Sequence, residues 1–196
     1  MAITINGTGS ITGLTAGGLP DGSITSADLA SGAITSGALP SGSILQVVQT
    51  VNTGVETTAS STYADIPGMS VNITPSSTDS KILVFVDVAL SAVGYNVQLK
   101  LYRGSTEIYF GDAASGKDSV LLGGYAGDTS SGEHYHGPWS NGKVFLDSPS
   151  SDTQVTYKLQ WRNRGSNSTW LNRSGLDNTD YGNRTGSSIT VMEVAG

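Results

Sequence analysis

Apolar residues recur at every fifth position along the first 44 residues of this chain. The series comprises Leu14, Leu19, Ile24, Leu29, Ile34, Leu39 and Ile44. From Leu19 the spacing forms a ten-residue repeat, Leu-x-x-Gly-x-Ile. One thin apolar stripe cannot be buried within such a segment, and repeats of this kind are stable only when they stack or wind with neighbours. The stripe therefore predicts assembly with other copies of the chain, as a multi-chain stalk or anchor.

The composition changes near Ser43. Residues 1–43 contain no Lys or Arg and carry only Asp21 and Asp28 as charges, with abundant Gly, Ser, Thr and Ala. A flexible linker has a similar composition, but the regular apolar spacing favours an ordered segment. Glycine permits tight turns and Ile-Thr pairs favour β-structure, so each decade is predicted to form a small strand and a turn. We therefore predict an extended anchor over residues 1–43 and a head over residues 44–196.

The head sequence has the period-two pattern of β-strands. Residues 153–161 alternate polar side chains with Val155, Tyr157, Leu159 and Trp161. Residues 81–90 are apolar on both faces until Asp87, as in a central strand. Further strands are predicted at 44–52, 68–74, 97–102, 106–110, 143–147 and 187–194. Many short strands separated by turn residues predict an all-β fold with a C-terminal antiparallel β-sandwich or jelly roll.

The overall charge and composition exclude several classes of protein. The formal net charge is −6 and the isoelectric point is near 4.6, whereas nucleic-acid binding requires a basic face. The chain contains no cysteine, so it has no disulfide framework and no thiolate metal site. The first residues lack the pattern of a signal peptide, and no apolar stretch has the ~20 residues of a membrane helix. We expect a soluble protein without membrane insertion.

No motif supports catalysis. Residues 111–118 match the spacing of a phosphate-binding loop, but the position that should be Ser or Thr is Asp118, and residues 119–124 do not begin a helix. A serine nucleophile would need a histidine, and only His134 and His136 are present. The acids at positions 112, 118, 128 and 133 are typical of solvated turns in Gly/Ser-rich loops. The sequence therefore predicts that the chain is not an enzyme.

Several segments resemble bacteriophage fibre and virion-decoration proteins. In the predicted anchor these are the opening AITINGTGSITGL and the decade LPDGSITSADLA, followed by the entry GSILQVVQ into the head. In the head they are TP-x4-SKILV at 74–84, FLDSP at 145–149 and SSITVMEV at 187–194. The resemblance covers nearly the whole chain. It implies a homotrimer with jelly-roll heads, similar in architecture to complement and tumour-necrosis-factor heads, on the exterior of a phage virion.

The two histidines could form a metal site. His134 and His136 would share a face if their segment is extended, and three such pairs around a trimer axis would offer six imidazoles to a transition metal. Some phage fibres hold iron in this way. The alternative is that both side chains face solvent in a polar loop over residues 127–142, and no cofactor is then expected.

Residues 161–184 have the composition of a binding surface. This segment combines aromatic rings with four arginines and several asparagines, and such groups stack on sugar rings and grip hydroxyls. Trp161 is expected in the core. The candidate ligand-binding residues are Trp170, Arg173, Tyr181 and Arg184. These residues could equally form a contact between chains, where Trp and Arg are also enriched.

Three functions remain open at this point. The first is a trimeric fibre whose head contacts the host surface, through a glycan. The second is a capsid decoration or cement protein, with residues 1–43 bound to other virion proteins and a passive head. Residues 1–43 span at most ~150 Å when fully extended, and this short reach favours the second function. The third is a glycan-active enzyme carried on the particle, which requires a carboxylate pair in a cleft.

Overall fold

The structure is a computed structural model that describes residues 4–5, 11–12, 24–92, 96–112, 114–125, 138–180 and 182–196. The chain divides into two compact units, Met1–Leu39 and Pro40–Gly196. The described residues form strands, short 3-10 turns and loops, with no α-helix. Within these ranges no helix could span a membrane.

The first unit contains a small β-hairpin and a repeated turn. Strands β1 (Thr4–Ile5) and β2 (Ile11–Thr12) pair antiparallel. Two successive decades then adopt the same local structure, because 3-10 turns lie at Ser26–Asp28 and at Ser36–Ala38. Each is followed by a turn with a glycine in the left-handed region, Gly32 at φ +77° and, ten residues later in the second unit, Gly42 at φ +89°. The decade repeat of the sequence is therefore also a repeat of backbone conformation.

The predicted strand in each decade is wrong for residues 24–43. A 3-10 turn replaces the expected β piece after each Ile-Thr pair. In the first of these decades, the Asp28 carboxylate accepts hydrogen bonds from the backbone N–H and the hydroxyl of Thr25, at 2.8 and 2.7 Å. These hydrogen bonds lower the pKa of Asp28. A β-branched pair favours a strand only when a partner strand is available, and the local cap replaces that pairing here.

The second unit is a β-sandwich of two antiparallel sheets. In chain order its strands are β3 (Ile44–Asn52), β4 (Glu56–Thr58), β5 (Ala64–Ile73), β6 (Lys81–Ala92), β7 (Asn96–Arg103), β8 (Thr106–Ile108), β9 (Leu122–Tyr125), β10 (Trp139–Asp147), β11 (Val155–Asn163), β12 (Thr169–Leu171) and β13 (Ser187–Val194). One sheet runs β3–β13–β6–β10, with β12 and β4 extending it at one end. The other sheet runs β5–β11–β7, and β8 and β9 both pair with the far side of β7.

The core lies between the two sheets and follows the predicted alternation. The even-numbered residues of β6 from Ile82 to Ala92 are buried. On β11 the four residues predicted to point inward are all buried, and the Trp161 side chain is only 2% exposed. β3 and β13 have the predicted bounds, and β6 is paired on both sides as predicted for a central strand. The sequence did not predict the short strands β4, β9 and β12.

β12 and β13 are two parts of one interrupted strand. β12 pairs with residues 90–92 of β6 and β13 with residues 81–87, in the same direction. Asn172 lies at the interruption with φ +61° and a fully buried side chain. Its side-chain amide donates hydrogen bonds to the carbonyls of Asn52 and Gly54, at 2.7 and 2.8 Å. These bonds also bridge the break between β3 and β4, so residues 173–186 leave the sheet without disrupting it.

A buried carboxylate ties the start of β3 to the end of β13. Glu193 is 1% exposed, and it accepts hydrogen bonds of 2.6–2.7 Å from Gln46, Ser80 and both the N–H and hydroxyl of Ser76. Burial alone would raise its pKa, but these hydrogen bonds to the charged form outweigh burial and lower it. Glu193 therefore fixes residues 76–80 beside the end of the sandwich where β3 begins.

Candidate functional site

The outer face of the β3–β13–β6–β10 sheet is largely apolar. In one row across the four strands, Leu146, Leu83, Met192 and Val47 stand side by side. We use the name apolar face for the following outward side chains: Val47, Val51, Leu83, Phe85, Val144, Leu146 and Met192. Four of them (Val47, Val51, Val144 and Leu146) are 46–57% exposed. The same face also carries Gln49 and Thr190 in the next row and Ser188 and Asp87 beside Val51. An exposed apolar row across four strands is typical of a contact with another protein.

The outer face of the β5–β11–β7 sheet is polar and internally paired. Lys158 forms an ion pair with Asp65 at 2.8 Å, and Lys100 forms one with Glu107 at 2.6 Å. Hydrogen bonds from Lys158 and Gln160 lower the pKa of Asp65. We call this surface the polar face.

The centre of the polar face is a cluster around Tyr63. The ammonium of Lys100 and the guanidinium of Arg162 lie 4.7 and 4.5 Å from the centre of the Tyr63 ring. Gln98, which is 2% exposed, accepts hydrogen bonds from the Tyr63 hydroxyl and from Arg162. Gln98 also donates to Asp118, and this bond, together with Arg162 and Arg164, lowers the pKa of the Asp118 carboxyl. The charges of this cluster are therefore largely satisfied within the chain.

The loop between β12 and β13 brings three of the predicted ligand-binding residues together. Arg173 and Arg184 form an isolated antiparallel bridge, and both pair with Asp177, at 3.3 and 2.6 Å. The guanidinium of Arg173 lies 5.0 Å from the centre of the Trp170 ring. Tyr181 lies outside the described residues.

Arg173 and Arg184 differ in availability. The Arg173 side chain is 19% exposed and donates to the carbonyls of Ser174 and Gly175, so it holds the loop. The Arg184 side chain is 51% exposed. Trp170 is partly buried between the buried residues Thr169 and Leu171. Because side chains alternate along a strand, Trp170 lies on the same outer side of the sheet as the apolar face.

The proposed metal and acid positions fall mostly outside the described residues. These positions are His134, His136, Asp128 and Glu133. Within the described ranges, no group of three or more His, Asp or Glu side chains could hold a metal ion. Asp118 is paired with two arginines.

The predicted stripe is exposed wherever the structure describes it. Leu14 and Leu19 lie outside the described residues. The exposed fractions are 54% for Ile24, 42% for Leu29, 55% for Ile34, 39% for Leu39 and 48% for Ile44. Each of these side chains is thus available for contact with another chain.

A groove that the sequence did not predict lies beside the edge strand β10. It is lined by Tyr109, Phe110, Gly111, Val120, Leu121 and Lys143 and has a volume of about 170 Å³; we call it the aromatic groove. Tyr109 has φ +50°, a conformation that costs a non-glycine residue roughly 1–3 kcal/mol. Its ring stacks on Phe145, with 4.7 Å between ring centres and 7° between planes. In the sequence only the adjacent aromatic pair at 109–110 hints at this groove.

The sequence matches no protein-family model and no curated protein.

Proposed function

We propose that this chain is a structural protein of a bacteriophage virion. It forms a homotrimeric fibre whose first unit attaches to other virion proteins, and its β-sandwich head points outward and contacts a glycan of the host surface. The observation that carries the proposal is the apolar face, because its exposed apolar side chains lie opposite the core on the same sheet and are unfavourable in water unless another surface covers them. A second copy of the chain is the cover that the proposal assigns to it.

The strand order of the head supports the proposal. Strands β3, β13, β6 and β10 of one sheet face β5, β11, β7 and β8 of the other, and among these eight strands only the step from β7 to β8 stays within one sheet. This order supports a jelly roll, a fold found in viral capsid and lectin domains. The trimeric state and the virion location come from the resemblance of the sequence to phage fibre and decoration proteins, and fold alone does not establish function.

The exposed stripe of the first unit favours an alternative that shares the same architecture. Ile24, Leu29, Ile34 and Leu39 are each at least 39% exposed, and a stripe of this kind suits docking on a shell as well as winding with other copies. In the alternative the protein is a capsid decoration protein that stabilises the shell.

Mass measurement in solution tests the assembly, and electron cryo-microscopy of purified particles tests the location. We expect a solution mass of three times the 20.1 kDa of one chain. Density at the tail with free heads would support the fibre, and density spread over the capsid would support decoration. A monomeric protein that is absent from particles would overturn both functions.

The attachment role of the stripe has its own test. Ile24→Asp combined with Ile34→Asp should prevent incorporation into particles and leave the head folded. The matched control is Ala27→Asp with Ser31→Asp, at exposed positions of the same repeat outside the stripe. Normal incorporation of the stripe variant would show that the stripe is not the attachment surface.

A further inference from the structure

We propose that the aromatic groove binds one ring of an acidic sugar, a pyranose that carries a carboxylate. The proposal rests on the proposed glycan contact of the head and names a ligand class and a site for it. It uses none of the residues predicted from the sequence for ligand binding. Three features of the groove carry it: the aromatic rings, the lysine and the size.

The two aromatic rings offer a fixed platform. Phe110 is 55% exposed and Tyr109 is 37% exposed, so ring surface of both is open to solvent. The Tyr109 ring is held by its stacking on Phe145, and its backbone lies in a conformation that aromatic residues rarely adopt. Backbone strain of this kind is concentrated at functional sites. The negatively charged face of an aromatic ring attracts the polarised C–H bonds on the face of a sugar.

Lys143 supplies a positive charge at the same groove that has no ion-pair partner among the described residues. Within the described residues, the seven ion pairs engage all five arginines and two of the five lysines. Of the other three, Lys81 and Lys117 are exposed, whereas Lys143 is partly buried in the groove wall. Removing a cation from water is unfavourable unless an opposite charge compensates it. A carboxylate of the ligand would provide that charge.

The size of the groove restricts the ligand to a single ring. Its volume of about 170 Å³ is below the ~300–1,000 Å³ of pockets for drug-sized ligands. The backbone N–H of Gly111 donates to the carbonyl of Val120 at 3.4 Å and joins the two sides of the groove. Val120 and Leu121 provide apolar lining, so one ring of a longer glycan can be seated while its neighbours remain in solvent.

Titration of the purified full chain with methyl β-D-glucuronide and methyl β-D-glucoside tests the proposal. Calorimetry or chemical-shift changes should give at least tenfold tighter binding of the glucuronide at low salt. Lys143→Met, which keeps the apolar stem, should reduce glucuronide affinity to the level of the glucoside. Phe110→Ser should weaken both probes at least tenfold. Lys117→Met, which removes an exposed lysine outside the groove lining, is the control and should change neither affinity.

Two results would overturn the proposal. One is equal affinity for the two probes, or unchanged glucuronide affinity in Lys143→Met. The other is a change in solution mass on Phe110→Ser, because the groove would then be a contact between copies of the chain. The binding test can be done without virions. If the protein binds glucuronide but is absent from particles, the proposed function is rejected and the sugar site is kept. If the protein is present on particles but does not bind glucuronide, the sugar site is rejected and the proposed function is kept.

Discussion

The two sheets of the sandwich present opposite kinds of surface to the outside. Leu146, Leu83 and Met192 lie in one outward row of the β3–β13–β6–β10 sheet, whereas Lys158 and Lys100 project from the other sheet and are paired with acids. The strands differ in the same way in sequence, since β6 is apolar at both odd and even positions and β11 alternates. Strict alternation of apolar and polar residues predicts a sheet with one solvent-exposed face. A strand that is apolar at all positions predicts a sheet that is covered on both faces.

The largest expected effect comes from placing charge on the apolar face. Val47→Asp with Val144→Asp would bury two unpaired carboxylates per copy in the proposed contact, at a cost of at least about 3 kcal/mol. We expect the solution mass to fall to that of one chain and the head to stay folded. Ser70→Asp with Asn72→Asp, at exposed positions of the polar face, should keep the wild-type mass. If both variants keep it, the apolar face is not the contact between copies.

Glu193→Gln tests a charge on the inner side of the same sheet. A glutamine has one oxygen acceptor in place of two, so its NH2 group must face either the Gln46 amide or the donors of Ser76 and Ser80. The loss of hydrogen bonds to a charged group should lower the free energy of unfolding by about 2–3 kcal/mol. The measurement is denaturant unfolding of the two proteins at pH 7.

The pH dependence of that difference follows from the lowered pKa of Glu193. The stabilisation is present above the ordinary value of 4.5 and is lost as the pH falls through the lower pKa of the folded state. The wild-type advantage should therefore shrink in acid. Glu107→Gln, in a partly exposed ion pair, is the control and should cost less than about 1 kcal/mol. If Glu193→Gln is as stable as wild type at pH 7, the hydrogen bonds of the Glu193 carboxylate do not stabilise the fold.

Arg162→Ala should have a moderate effect on the polar face. It removes the contact with the Tyr63 ring and one partner of Asp118, which together are worth about 1 kcal/mol. We expect that loss in denaturant unfolding and no change in solution mass. Arg164→Ala removes the other partner of Asp118, but its side chain is 56% exposed, and it should be nearly neutral. A change of mass in Arg162→Ala would place the polar face in the assembly contact.

Asp118→Asn should have the smallest effect and should depend on pH. The folded-state pKa of Asp118 lies below its ordinary 3.8, so its contribution is present above about pH 4 and disappears as the pH falls through that lower pKa. We expect a loss of less than about 1 kcal/mol at pH 7, reduced by salt, and no loss once the pH is below the folded-state pKa. An equal loss at both pH values would show that packing, not charge, is responsible.

Strand pattern was the most predictable property of this chain. β11 could be predicted because its alternation reports burial directly, and the core position of Trp161 followed from the same register. β6 could be predicted because its continuous apolar run is typical of a central strand. β9 was not predictable because its sequence, Leu-Gly-Gly-Tyr, has no alternation. β12 was missed because Asn172 follows it in a left-handed conformation that interrupts the pattern.

The sites were less predictable than the strands. The sequence indicated Trp170, Arg173 and Arg184 together because they are close in the chain. The aromatic groove joins residues 109–111 and 120–121 to Lys143, and only the fold brings these segments together. Lys143 lacks an ion-pair partner among the described residues. This could not be predicted from composition, because ion pairs depend on which charged side chains the fold brings together.

The ties at the entrance to the sandwich determine how it would carry tension. Gly42 and Ser43 exchange backbone hydrogen bonds with Ala195, each 2.9 Å long, and β3 then pairs with β13 from Ile44 to Asn52. A pull on residue 43 along the axis of β3 would load this whole ladder at once, in shear, instead of opening its bonds one after another. If the first unit attaches the protein to a particle, as proposed, drag on the head would load the β3–β13 hydrogen bonds in shear, the direction in which they resist force best.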